Sequence, residues 1–119
     1  MKKLLLVTTI TALTMTSIVS TPKAQAADIA LSICEYVAAD DKRRMRSFLK
    51  ANRLRIRDIF SDIKCNGQNL LEFAATRGSV EIGSLMIGKL PRDVVSENLP
   101  LIQHGSQPLI DAANERVGG

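Results

Sequence analysis

Two cysteines, Cys34 and Cys65, are the residues of this chain whose chemistry is easiest to predict. They are its only cysteines, and in an oxidising compartment two such residues in a small chain form a disulfide by default. The bond would close a loop of about 30 residues and stabilise the fold by roughly 3 to 4 kcal/mol in the chain-entropy model. A redox-active or partner-linking thiol is the functional alternative, although neither a Cys-x-x-Cys spacing nor a thioredoxin-like strand pattern supports it.

A second candidate site is a set of basic residues that follow one another at spacings of three or four: Arg43, Arg46, Lys50, Arg53 and Arg57. We call this set the basic stripe, because on one helix the spacing would align the side chains along one side. Clustered arginines can bind phosphate or carboxylate in a bidentate manner, so the stripe could contact anionic lipid headgroups, lipopolysaccharide phosphates or an acidic protein. The alternative is a solvated helix face whose charge is offset by nearby carboxylates, those of Asp40, Asp41, Asp58 and Asp62.

The sequence offers little from which to build a catalytic or metal site. His104 is the single histidine and falls in a predicted loop, whereas a zinc site draws on several His, Cys or carboxylate ligands. A Ser/His/Asp or Cys/His arrangement would also have to rest on that one histidine. We therefore expect a protein that is not an enzyme and that has no cofactor and no metal.

The first 26 residues have the three zones of a secretory signal peptide. Two lysines are followed by an apolar run from Leu4 to Val19, and then by a polar stretch that ends in Ala24-Gln25-Ala26. Small residues at the last and third-last positions suit signal peptidase, so we predict cleavage after Ala26 and a periplasmic or secreted protein. An uncleaved membrane anchor is the alternative, but the run is shorter than the roughly 20 residues that span a bilayer.

Cleavage would change both the size and the charge of the chain. Removing 26 of the 119 residues leaves 93, residues 27–119, which suffice for one small domain. Lys2, Lys3 and Lys23 leave with the signal, so 16 basic side chains become 13 against 12 acidic ones, a net charge of +1. This near-neutral charge, together with export and few aromatic residues, argues against nucleic acid as a partner.

Hydrophobic residues recur at helical spacing through residues 27–119, which predicts an all-α domain. Asp40 and Asp41 are placed to stabilise the start of the second helix, Asn69 can cap the fourth with Glu72 reaching back, and Asn66-Gly67 is the strongest turn signal. The predicted helices cover about 31–39, 41–51, 55–63, 70–77, 79–89, 92–98 and 106–116.

The chain also repeats itself. The pairs Ala38-Ala39, Ala74-Ala75 and Ala112-Ala113 recur 36 and 38 positions apart, a period typical of helical arrays. The segment from Asn66 to Leu90, with Gly67, Ala74-Ala75 and Gly78 at matching positions, resembles an ankyrin repeat, although the period is longer than the 33 residues of ankyrin. The resemblance implies a short ankyrin-like helical repeat domain behind the cleaved signal peptide, with a surface that binds proteins.

A second resemblance rests on Cys34, on Cys65-Asn66-Gly67 and on the later segment Phe73-Ala-x-x-x-Gly78. Over about residues 33–90 this combination is similar to a family of small exported bacterial proteins of unknown function, which implies no known activity. We predict a periplasmic protein-interaction module without catalysis, whose partner is an unknown envelope protein. The alternative is an anion-binding envelope factor that contacts phospholipid or lipopolysaccharide phosphates through the basic stripe and the segment 42–57 that contains it.

Overall fold

A computed structural model describes residues 22–118 of the chain, and the side chains of residues 25–118. The first 21 residues, which carry most of the predicted signal peptide, lie outside the described residues. Within that range, no helix is long and apolar enough to cross a membrane. The elements in chain order are α1 (Pro22–Ala38), α2 (Lys42–Ala51), α3 (Ile56–Ile59), β1 (Lys64–Cys65), β2 (Gln68–Asn69), α4 (Leu70–Arg77), α5 (Val80–Lys89), α6 (Arg92–Asn98), a 3-10 helix (Leu99–Leu101) and α7 (Gln107–Gly118).

The described chain is mostly helical, as the hydrophobic spacing predicts, and α2, α5 and α6 begin and end within a residue of their predicted bounds. Two predictions of helix length were wrong. The first helix begins at Pro22 and not near Leu31, because the alanine-rich residues before Leu31 favour helix. The third is a single turn that ends at Ile59, since Ser61 and Asp62 favour turns over helix interiors.

The prediction of a purely α-helical domain missed a small β-hairpin. Lys64 pairs with Asn69 and Cys65 with Gln68 in an antiparallel arrangement. The two residues between the strands, Asn66 and Gly67, have φ angles of 53° and 78°, the left-handed values that an Asn-Gly hairpin turn requires. The sequence therefore located the turn, but strands of two residues are too short to show an alternating pattern.

Two helix pairs stack to form the core. α1 packs against α2 and α4 against α5, while α1 also contacts α4 and α2 contacts α5. α7 then packs against α5 and α6. The side chains between these helices are fully buried, and they include Ile33, Val37, Leu71, Ile82 and Leu109.

Asp40 and Asp41, the acidic pair that precedes α2, cap two different helices. Asp41 caps α2 as predicted, its Oδ1 accepting a hydrogen bond from the Arg44 backbone N–H at 3.0 Å. Asp40 instead caps α5, because its Oδ1 accepts from the Ile82 N–H at 2.8 Å and its Oδ2 from the Glu81 N–H at 3.4 Å. Ser79, the N-cap residue of α5, donates its hydroxyl to the Val37 carbonyl. The end of α1 and the start of α5 are thus joined by side-chain hydrogen bonds.

Two replacements of Asp40 test how much this residue contributes to stability. Asp40→Ala removes the acceptor and places Ala at a φ of 52°, so we expect the free energy of unfolding to fall by about 1 to 2 kcal/mol. Asp40→Asn keeps an acceptor oxygen and tolerates the same φ, so it should lose only a few tenths of a kcal/mol. Urea denaturation of both variants measures the difference, and equal midpoints would show that neither the acceptor nor the left-handed backbone at Asp40 contributes.

Candidate binding groove

The two cysteines form the predicted disulfide. Cys34 on α1 and Cys65 on β1 are bonded, with their Cα atoms 5.7 Å apart. Cys65 is only 3% exposed, and the described residues contain no free cysteine. The bond therefore ties the hairpin to α1 inside the core, which favours a structural role over a partner-linking thiol.

The basic stripe does not follow one helix, which corrects the sequence interpretation. α2 ends at Ala51, and its C-cap residue Asn52 donates its side-chain N–H to the Phe48 carbonyl at 2.8 Å. Arg53 then has a φ of 54° and turns the chain away from the helix axis. Arg57 lies on the next helix, α3. The stripe residues keep their spacing of three or four in the sequence, but their side chains extend from different structural elements.

Three elements of the fold, α2, α3 and α5, surround a groove of about 460 Å³. Its floor is apolar and consists of Leu49, Leu54, Ile56 and Leu85. Leu49 and Ile56 are buried, whereas Leu54 and Leu85 are half-buried and present apolar surface to the groove. The position of Leu54 is set by its backbone N–H, which donates to the Leu49 carbonyl at 2.8 Å.

The rim of the groove is cationic. Its exposed basic side chains are Arg46, Lys50, Arg55, Arg57 and Lys89. We refer to the floor and rim together as the cationic groove. Arg46, Lys50 and Arg57 belong to the predicted stripe, while Arg43 and Arg53, its other two members, do not line the groove.

Few of these charges are neutralised within the protein. In residues 25–118 the ion pairs are Arg55 with Asp58, at 2.8 Å, and Arg44 with Asp41, at 3.4 Å. The remaining rim side chains, those of Arg46, Lys50, Arg57 and Lys89, therefore form no salt bridge there. Of the four carboxylates that the alternative interpretation names, Asp41 and Asp58 form these ion pairs, whereas Asp40 accepts hydrogen bonds from backbone N–H groups of α5.

This arrangement suits the binding of an anion that carries an apolar portion. The rim cations that form no salt bridge in residues 25–118 are exposed, so their N–H groups are accessible to an external anion. Arginine can present two parallel N–H donors to a phosphate or carboxylate, and lysine acts as a point charge beside it. The half-buried leucines below the rim offer apolar surface to the rest of the ligand.

The sequence alone missed Lys89 and the apolar floor, and it placed Arg55 in the basic segment 42–57 but not among the aligned residues of the stripe. One signal was present: Leu85 and Lys89 are four residues apart on a correctly predicted helix, so they occupy the same face. Leu85, Met86 and Leu90 are apolar residues near the end of α5. Met86 and Leu90 are buried but Leu85 is half-buried, because it lies where α5 meets the groove. Only the packing of α2 and α3 around α5 brings these residues together.

His104 lies outside the groove and takes part in a polar network. Its Nε2 lies 2.8 Å from the Thr76 hydroxyl. That hydroxyl also lies 3.1 Å from the Glu72 carbonyl oxygen and accepts from the Gln68 side chain at 3.0 Å. The hydroxyl has one proton, so it can donate to the Glu72 carbonyl or to Nε2 but not to both, and the tautomer of the imidazole sets which of the two atoms, Nε2 or the Thr76 oxygen, is the donor. Across the described part of the chain, no three His, Cys, Asp or Glu side chains gather as metal ligands.

A family model for a protein of unknown function, DUF3718, matches residues 33–97, which are 65 of the 119 residues. The chain belongs to the DUF3718 family. The match begins at the buried Ile33 of α1 and ends within α6, so the DUF3718 region contains the disulfide and the whole cationic groove. The prediction of a family without known activity, with a core at about 33–90, agrees with this result.

The comparisons leave the finer resemblances as predictions. No curated protein and no solved structure matches the chain. The DUF3718 match supports neither the Cys-Asn-Gly motif as a family signature nor the ankyrin-like repeat. The function of the DUF3718 protein must therefore be argued from its own groove.

Proposed function

We propose that this DUF3718 protein is a small exported binding module that acts without catalysis and takes up anionic ligands in the cationic groove. The observation that carries the proposal is the rim, where Arg46, Lys50, Arg57 and Lys89 converge above an apolar floor without a salt bridge in residues 25–118. Export is supported by the three zones of the N-terminus and by the Cys34–Cys65 disulfide, which is typical of oxidising compartments.

The groove favours anion binding over the binding of an envelope protein, which the sequence alone favours. A partner protein in the envelope was favoured because a helical array usually provides an interaction surface, and the two stacked helix pairs still support an ankyrin-like arrangement of that kind. The groove adds a specific recognition chemistry that the array lacks. Phospholipid or lipopolysaccharide phosphates match it in charge, so we place the anion-binding function first and keep the envelope protein as the second candidate.

Charge reversal at the rim tests this function. The triple variant Lys50→Glu, Arg57→Glu and Lys89→Glu should bind phosphatidylglycerol vesicles and lipopolysaccharide at least tenfold more weakly than wild type, since each basic contact contributes about 1 kcal/mol at an anionic surface. Binding by the wild-type protein should also weaken steeply with salt. Vesicle co-sedimentation over a range of salt concentrations measures both effects.

The matched control changes the same amount of charge away from the groove. Arg43, Arg53 and Arg77 are exposed and do not line it, so their replacement by Glu should weaken binding by less than about threefold. An equal loss in both triple variants would mean that net charge, and not the groove, causes the binding. An absence of salt-sensitive binding by the wild-type protein would contradict the proposed function.

A further inference from the structure

We propose that the cationic groove holds one molecule of a single-chain phosphate amphiphile, such as an anionic lysophospholipid, with its chain on the leucine floor and its phosphate at the rim. The inference rests on the proposed function and deepens it, because it replaces a general anion by a ligand of defined shape.

The size of the groove favours a single molecule over a surface. A volume of about 460 Å³ lies within the range of roughly 300 to 1,000 Å³ that is usual for small-molecule sites. An ordinary protein interface uses about 20 to 30 residues on each side, whereas 10 residues line this groove. A flat bilayer could touch the rim, but only a molecule that leaves the bilayer plane could reach Leu54 and Leu85 below it.

The basic residues of the groove come from three different elements. Arg46 and Lys50 lie one turn apart on α2, Arg57 extends from α3, and Lys89 is the last residue of α5. A phosphate near the rim can therefore be contacted from more than one element, with arginine supplying paired N–H donors. Arg55 contributes less, because its Nε already donates to the Asp58 carboxylate at 2.8 Å.

The floor explains why the ligand should carry a chain. Leu54 and Leu85 are half-buried, so an alkyl chain above them would remove apolar surface from water on both molecules. Full burial of one methylene strengthens binding about fourfold, so a groove that covers the chain on one side should give about twofold, with fourfold as the upper limit. A free phosphate or a short polar anion would leave that surface exposed and would bind through the rim alone.

A series of alkyl phosphates tests the inference directly. We would titrate the purified exported protein, by calorimetry, with hexyl, octyl, decyl and dodecyl phosphate below their micelle-forming concentrations. Inorganic phosphate provides the headgroup alone, and alkyl glucosides of the same lengths provide the chain alone. We expect one molecule bound per protein, a two- to fourfold gain in affinity per methylene until the floor is filled, and much weaker binding of both partial ligands.

Two variants separate the floor from the rim. Leu85→Ala should reduce the gain per methylene, whereas Lys89→Gln should lower the affinity for all chain lengths by a similar factor. Leu31→Ala is the matched control, since Leu31 is 61% exposed and lies on α1, outside the groove. Should Leu85→Ala fail to fold, Leu54→Ala provides the same test from the other side of the floor.

The possible failures point to different conclusions. If vesicles and inorganic phosphate bind but affinity does not depend on chain length, or if vesicles bind and no monomeric amphiphile does, the single-chain ligand is wrong and the anion-binding function remains. If glucosides bind as tightly as phosphates, the rim cations are not used and both proposals are wrong. A chain-length dependence that Leu85→Ala leaves unchanged would place the chain elsewhere and overturn the inference.

Discussion

Loss of the Cys34–Cys65 disulfide is expected to lower the free energy of unfolding by about 3 to 4 kcal/mol. The bond joins residues 31 positions apart, so it restricts the unfolded chain substantially. Domains of this size are stabilised by only about 5 to 15 kcal/mol in total, so the reduced protein should unfold at a much lower urea concentration. We would compare oxidised protein, reduced protein and the double variant Cys34→Ala/Cys65→Ala in urea denaturation.

The double alanine variant is preferable to a serine variant, because Cys65 is buried and a hydroxyl there would add an unrelated polar cost. The groove provides an internal control, since it is built from α2, α3 and α5, and the disulfide joins α1 to β1. Anion binding at low temperature should therefore survive as long as the variant is folded. Identical urea midpoints for the oxidised and reduced forms would contradict the prediction.

Leu109→Ala should destabilise the protein by about 2 to 5 kcal/mol, because Leu109 is fully buried and its loss leaves a cavity. Gly83 lies against it: a Cβ at that position would sit 2.5 Å from Leu109 Cδ1 and 3.6 Å from Ala74 Cβ. Gly83→Ala should therefore cost about 1 to 3 kcal/mol through overpacking, although alanine favours helix over glycine.

The two changes should compensate in part when they are combined. The alanine methyl at position 83 can occupy space that Leu109→Ala vacates, so the double variant should lose less stability than the sum of the single variants, by about 1 kcal/mol. Gly88→Ala is the matched control on the same helix, where no atom lies within 4 Å of an added Cβ. It should gain roughly 0.5 to 1 kcal/mol from helix propensity. Strict additivity would show that Gly83 and Leu109 do not compete for the same space.

The features that sequence predicted well are those with a local physical cause. Asn69 was expected to cap α4, and its Oδ1 accepts from the Glu72 N–H at 2.8 Å. Gly78 ends α4 with a φ of 71°, as a glycine at that position should. The second half of the proposed capping box is different, because the Glu72 carboxylate accepts from the Gln68 side chain and not from the Asn69 backbone.

The features that sequence missed depend on contacts between distant segments. Asp40 is adjacent to α2 in sequence but caps α5, about 40 positions later, because α1 packs against the second helix pair. Lys89 completes the rim only because α2 and α3 pack against α5. A pattern of basic residues can indicate a charged surface, but whether that surface is flat or encloses an apolar floor is decided by tertiary packing, which no single helix encodes.

The cap that Asp40 provides also affects local unfolding at the start of α5. First-turn amides of a helix usually lack a protein partner and exchange with solvent readily. In α5 the amides of Glu81 and Ile82 are held by a residue that follows α1, and the Ser79 hydroxyl is held by Val37 within α1. Local fraying at the start of α5 therefore requires the end of α1 to move as well. The two stacked pairs are therefore joined at this junction, and we expect them to open together there and not one after the other.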